Sequence, residues 1–124
     1  MGQTDLGKTS SGMEANVAGL LSYAFGWITG LIFFLIEKEN KFVRFHAFQS
    51  IVVFGGLCVL QIAIGIFISA IATMGAGAII PLFMVINNLV MLAMLILWIL
   101  LMVKAYQGEK FKLPIAGDMA EKNA

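Results

Sequence analysis

Long uncharged runs alternate along this chain with short segments dense in charge. Ala15 to Ile36 carries no charged side chain. Glu37 to Ser50, EKENKFVRFHAFQS, is polar and aromatic. From Phe45 to Val103 there is again no Asp, Glu, Lys or Arg. A helix rises about 1.5 Å per residue, so about 20 apolar residues cross a hydrocarbon core of roughly 30 Å. The pattern therefore predicts three transmembrane helices, about 17–36, 49–71 and 82–103, in an all-α polytopic membrane protein. Residues 1–16 read as a mobile polar tail and 104–124 as a polar cytoplasmic tail, on either side of a membrane domain spanning 17–103.

Within the first span Ala18, Ser22, Gly26 and Gly30 recur every fourth residue. They form a ridge of small side chains that lets another helix approach closely. Gly65 and Ser69 continue a second such ridge from Gln61 to Thr73. Between the first two spans lies an interfacial segment. Read at 100° per residue, it places Phe42, His46, Gln49, Ser50 and Val53 on one face. Ala72 to Pro81 is an uncharged turn, with Pro81 suited to the first turn of the next helix. Counted from that turn, Gln61 sits about 15 Å deep and Asn88 about 10 Å, within reach of a hydrogen bond to each other. Asn87 lies beside Asn88.

Charge sets the expected orientation. With three crossings one side holds Lys8 alone, and the other holds Lys38, Lys41, Arg44, Lys104, Lys110, Lys112 and Lys122. Basic residues mark the cytoplasmic side, which predicts the N-terminus outside and the C-terminus in the cytoplasm. A re-entrant or split first helix would invert this. No cleavable leader is expected, because the first apolar run is long and its basic flank follows it.

Composition narrows the function. Sixty per cent of the residues are hydrophobic, 12% are charged and the mean hydropathy is +0.95, far from soluble-domain values. A net charge of +1 leaves no basic stripe for nucleic acid. Cys58 is alone in an apolar run, and one cysteine with one histidine makes neither a disulfide nor a metal site, so no cofactor is expected. Gly2 to Thr9 matches the phosphate-loop spacing, but no strand precedes it to shape the loop, and the match is read as coincidence. His46 with Ser50 is the sole acid–base pairing available and lacks a third, orienting group, which argues against an enzyme. Arg44, His46, Gln49, Ser50, Gln61, Asn87 and Asn88 are instead candidate partner-facing residues, in contact with the bilayer, a second copy or another membrane protein.

The stretch NKFVRFHAFQS, with the preceding apolar helix and KFKLPIAGDMAEK downstream, resembles a family of small bacterial and archaeal membrane proteins. They are grouped as similar to the twenty-kilodalton subunit of the chloroplast inner-envelope import translocon. The resemblance covers about Val17 to Lys122. It rests on F-V-R-F-H-A-x-Q-S at Phe42 to Ser50 and on Leu-Pro-x-x-Gly-Asp at Leu113 to Asp118. The plastid subunit is thought to help form a protein-conducting path and is usually drawn with four spans, against three here. The resemblance carries no catalytic residues. Two roles follow as expectations: an accessory or assembly protein, or a subunit of an oligomeric channel or translocase.

Overall fold

A computed structural model describes residues 6–124. The start of the N-terminal tail, and with it the first half of the Gly2–Thr9 match, lies outside the described residues. Among the described residues there is no strand. The helices are α1 (Ala15–Ala24), α2 (Trp27–Ile36), α3 (Lys41–Thr73), α4 (Ile80–Tyr106) and α5 (Ala116–Asn123), with a 3-10 turn at Gly77–Ile79 before α4.

The three-span expectation is corrected at the first apolar run. That run is two ten-residue helices, each about 15 Å long and too short to cross a bilayer. Two helices, α3 and α4, are long and apolar enough to do so, and they contain the second and third expected spans. The break falls at Phe25 and Gly26. Gly26 has φ +65°, a conformation that costs a residue with a Cβ but not glycine. The sequence reading counted Gly26 in a packing ridge; it is the hinge of a helical hairpin.

A broken helix among lipid tails must find partners for its freed backbone groups, each worth several kcal/mol if left bare. They are found here. Thr29 Oγ1 donates to the Ser22 carbonyl at 3.2 Å and accepts from the Phe25 N–H at 3.1 Å. Trp98 Nε1 donates to the Tyr23 carbonyl at 2.7 Å, and Ser50 Oγ to the Gly26 carbonyl at 2.8 Å.

The hairpin returns to the side it left. Glu37, after α2, accepts from the Ser10 N–H and hydroxyl, before α1. Asn40 Nδ2 donates to the carbonyls of Leu6 and Lys8. Residues 6–10 therefore stand beside residues 37–40, and the three crossings on which the N-outside expectation rested are not present. Asn40 also caps α3, its Oδ1 accepting from the Val43 N–H at 3.0 Å. Lys41 to Ser50, read at helical spacing within the interfacial segment, is the start of α3 itself. Pro81 sits in the first turn of α4.

Packing is concentrated at this end. One buried cluster joins Ala15 and Ala18 of α1 to Phe42 and Val43 of α3. A second joins Tyr23, Phe54, Leu101 and Ala105. Along the far halves of α3 and α4 the apolar side chains face outward, Ile62, Ile66, Leu82, Val85 and Leu89 among them.

Candidate functional site

The polar residues of the first turns of α3 face inward because α1, α2 and the C-terminal tail cover them. His46, Gln49 and Ser50 are each fully buried. Tyr23 of α1 meets them from the opposite side. Its hydroxyl lies 2.7 Å from His46 Nδ1 and 3.0 Å from Gln49 Nε2. The tail closes the cluster. The Glu109 carbonyl is 2.9 Å from His46 Nε2. The Phe111 carbonyl accepts from Gln49 Nε2 at 2.9 Å, and the Leu113 N–H donates to Gln49 Oε1 at 3.0 Å.

These partners fix every proton. Leu113 N–H identifies the oxygen end of the Gln49 amide, so its NH2 donates to Phe111 and to Tyr23. A carbonyl can only accept, so His46 carries its proton on Nε2 toward Glu109. Nδ1 then accepts the Tyr23 proton, which has no other acceptor among the described residues. Donors and acceptors are matched throughout, and the rings of Tyr23, Phe42 and Phe45 stand edge-on around the imidazole at centroid distances of 5.4, 4.6 and 5.1 Å. His46 and Ser50 do not pair. Ser50 is occupied with Gly26, and its hydroxyl has no base.

Arg44 works at the other face of α3. Its Nη1 donates to the carbonyls of Phe34 and Glu37, at 3.1 and 2.7 Å, and its guanidinium lies 4.1 Å from the Phe34 ring centroid. It thereby caps the end of α2. Glu37 itself is buried, which pushes its carboxyl up, but hydrogen bonds from Asn40, Ser10 and Glu39 outweigh that and hold it below the usual carboxylate range.

The remaining candidates lie elsewhere. Ala18 and Ser22 are buried on α1, and Ser22 Oγ donates to the Ala18 carbonyl. Gly30 is buried against α3: a Cβ there would lie 2.9 Å from both the Ala47 carbonyl oxygen and Ser50 Cβ. Gly65 and Ser69 are exposed, with open space where a Gly65 Cβ would be. Gln61 is half-buried and its Nε2 has no hydrogen-bond partner. Asn87 is half-buried and Asn88 exposed, and neither bonds to Gln61. Cys58 is a free, half-buried thiol. Among the described residues no three His, Cys, Asp or Glu side chains converge to hold a metal ion.

Sequence reasoning passed over Tyr23, Trp98, Glu37 and Asn40. The available signal was chemical. A Tyr and a Trp buried in apolar runs need partners for their polar atoms, and the partners here come from segments distant in sequence. The sequence pattern presents residues 104–124 only as a polar tail. In fact the two stretches that carried the resemblance, Phe42–Ser50 and Leu113–Asp118, meet at the Gln49 clamp. Gly117 belongs to the same closure, since a Cβ there would fall 2.5 Å from Lys112 Cβ. Lys112 then pairs with Asp118 at 3.1 Å and Glu121 at 2.8 Å across the turn.

Comparison with known proteins places this architecture in a family. Residues 8–120 match the magnetosome magnetite crystal formation protein family. A UPF0132 membrane protein of Methanocaldococcus jannaschii is 52% identical over 116 residues, covering 94% of each chain. A UPF0132 membrane protein of Archaeoglobus fulgidus is 47% identical over 109 residues, covering 88% of this chain and 94% of its own. No solved structure matches. Nothing in these matches links the chain to the chloroplast translocon subunit, and the resemblance is corrected to that extent. With nearly its whole length matched, the chain belongs to the family of small archaeal UPF0132 membrane proteins, within the magnetosome magnetite crystal formation family.

Proposed function

We propose that this is a non-enzymatic accessory or assembly protein of the cell membrane that crosses it twice, keeps both ends in the cytoplasm and associates with further copies of itself. The observation that carries the assembly reading is the uncovered far half of α3 and α4. There the amide of Asn88 is exposed, and the small residues Gly65 and Ser69 leave the α3 surface open. Polar groups at membrane depth draw helices together, and small residues let them approach. An amide carries both donor and acceptor, so the same face on a second copy complements it about a twofold axis. The polar cluster around His46 argues against chemistry, because its donors and acceptors are consumed by one another.

The orientation is supported by the basic residues. With α1 and α2 forming a hairpin, all eight Lys and Arg belong to the end that carries the two tails, and the turn at residues 72–81 carries none. Basic residues flank spans on the cytoplasmic side. The family description points to mineral formation. Among the described residues no three His, Cys, Asp or Glu side chains converge, and the proposal rests on the lipid-facing helices.

Native mass spectrometry of protein released gently from its own membrane tests the reading. Dimers or larger assemblies that dissociate on Asn88→Leu support it. A monomer in both forms overturns it. A ring of about four or more copies, the least able to surround a path, together with solute flux in proteoliposomes, replaces it with the channel reading.

A further inference from the structure

The geometry points to a wedge-shaped membrane protein that prefers strongly curved bilayers, convex on the side of its charged end. This rests on the two-span topology proposed above, not on assembly.

The premise is a mismatch in depth. α3 rises about 44 Å from Arg44 to Thr73, which matches the roughly 40–45 Å of a bilayer with its headgroups. The tip of the α1–α2 hairpin reaches Phe54 and Gly55, where a Cβ on Gly26 would lie 3.5 Å from Phe54 Cβ and one on Gly55 3.7 Å from Trp27 Cβ. That is about 15 Å below Arg44 and short of the midplane. On α4 the hairpin runs from Tyr106, whose carbonyl accepts from Asn16 Nδ2, to Trp98, which bonds the Tyr23 carbonyl. That stretch is about 12 Å.

One leaflet therefore holds four helices and the other holds two. The broad end is broadened again by the tail and α5, which packs on α3. The narrow end closes in a turn of small and apolar residues, Ala72 to Pro81. The broad end is also well braced. Glu37 ties the two ends of the hairpin together through Ser10, and Arg44 holds the end of α2 to α3. An element this firmly tied cannot flatten to relieve a crowded leaflet, so the bilayer must accommodate the difference in area. Where the bilayer bends toward the broad end, the outer leaflet offers the extra area at no cost. All eight Lys and Arg lie at that end, so the side that becomes convex is the cytoplasmic one, whose anionic lipids also favour them.

Size-resolved sorting tests this. The full chain, labelled at its C-terminus, is reconstituted at about one copy per vesicle in phosphatidylcholine–phosphatidylglycerol liposomes of mixed diameter, a dilution at which self-association has no part. A membrane-impermeant quencher separates copies with the label outside from those with it inside. The expected result is that the outward copies become severalfold denser per unit area as diameter falls, while the inward copies become sparser. Equal density at all diameters for both orientations overturns the inference, and does so without touching the assembly reading. Protease access to N- and C-terminal tags on the same vesicles checks the premise. Tags on opposite faces overturn the wedge by removing its hairpin.

Discussion

At the scale of single residues, Gln49 is the most connected side chain of the buried cluster. It joins α3 to Tyr23 of α1 and, through Phe111 and Leu113, to the tail. Gln49→Ala would leave the Leu113 N–H and the Phe111 carbonyl without partners in a closed site. A buried polar group left bare costs about 1–3 kcal/mol, so we expect a loss of about 2–4 kcal/mol in stability. Melting in detergent reads the loss, and trypsin reads its place. Cleavage at Lys110 and Lys112 should become fast while the span regions stay protected. A lowered melting point with the tail still resistant would show that Gln49 supports the helices without holding the tail.

At the scale of elements, the hinge decides the fold. Hydropathy measures the transfer of side chains into lipid, and by that measure the uncharged, largely apolar run from Val17 to Ile36 reads as a span. What it omits is where the backbone's own polar groups go. The break at Gly26 becomes affordable only because Thr29, Ser50 and Trp98 arrive with donors, and two of those three lie far along the chain. The face formed by His46, Gln49 and Ser50 was legible, because it depends on spacing within one helix. Its partners were not, because Glu109, Phe111 and Leu113 lie about 60 residues on. The small-residue ridges show the same limit: spacing identifies a ridge but not what covers it. Gly30 and Gly65 separate the cases experimentally. Gly30→Ala forces a methyl against the Ala47 carbonyl and Ser50 and should cost about 1–3 kcal/mol. Gly65→Ala meets open space and should gain up to about 1 kcal/mol from helix propensity alone. Thermal melting of the two variants at matched detergent checks the contrast. Equal effects would mean that α2 is not seated on α3 as described.

At the scale of the whole molecule, the hairpin changes which side each terminus faces, and this can be tested independently of stability. In a Cys58→Ala background, single cysteines are placed by Ser11→Cys before α1, Met74→Cys at the tip between α3 and α4, and Asn123→Cys at the end of α5. Met74 is 80% exposed, so its replacement perturbs no packing. Three crossings would put positions 11 and 74 on one face and position 123 on the other. A hairpin followed by two crossings puts 11 and 123 together and 74 opposite. An impermeant maleimide applied to intact cells should therefore modify the M74C chain at once, and the S11C and N123C chains only after permeabilisation. The outcome matters beyond orientation. The Glu37–Ser10 bonds, the Asn40 bonds to Leu6 and Lys8, and the docking of the tail on Gln49 all require the two tails to share a compartment. Labelling of S11C from outside would thus dismantle the charged end as one folded unit, and with it the reason for the broad end of the wedge. Labelling of M74C alone would place every basic residue on the cytoplasmic side, an arrangement in which the charge pattern and the fold require the same topology.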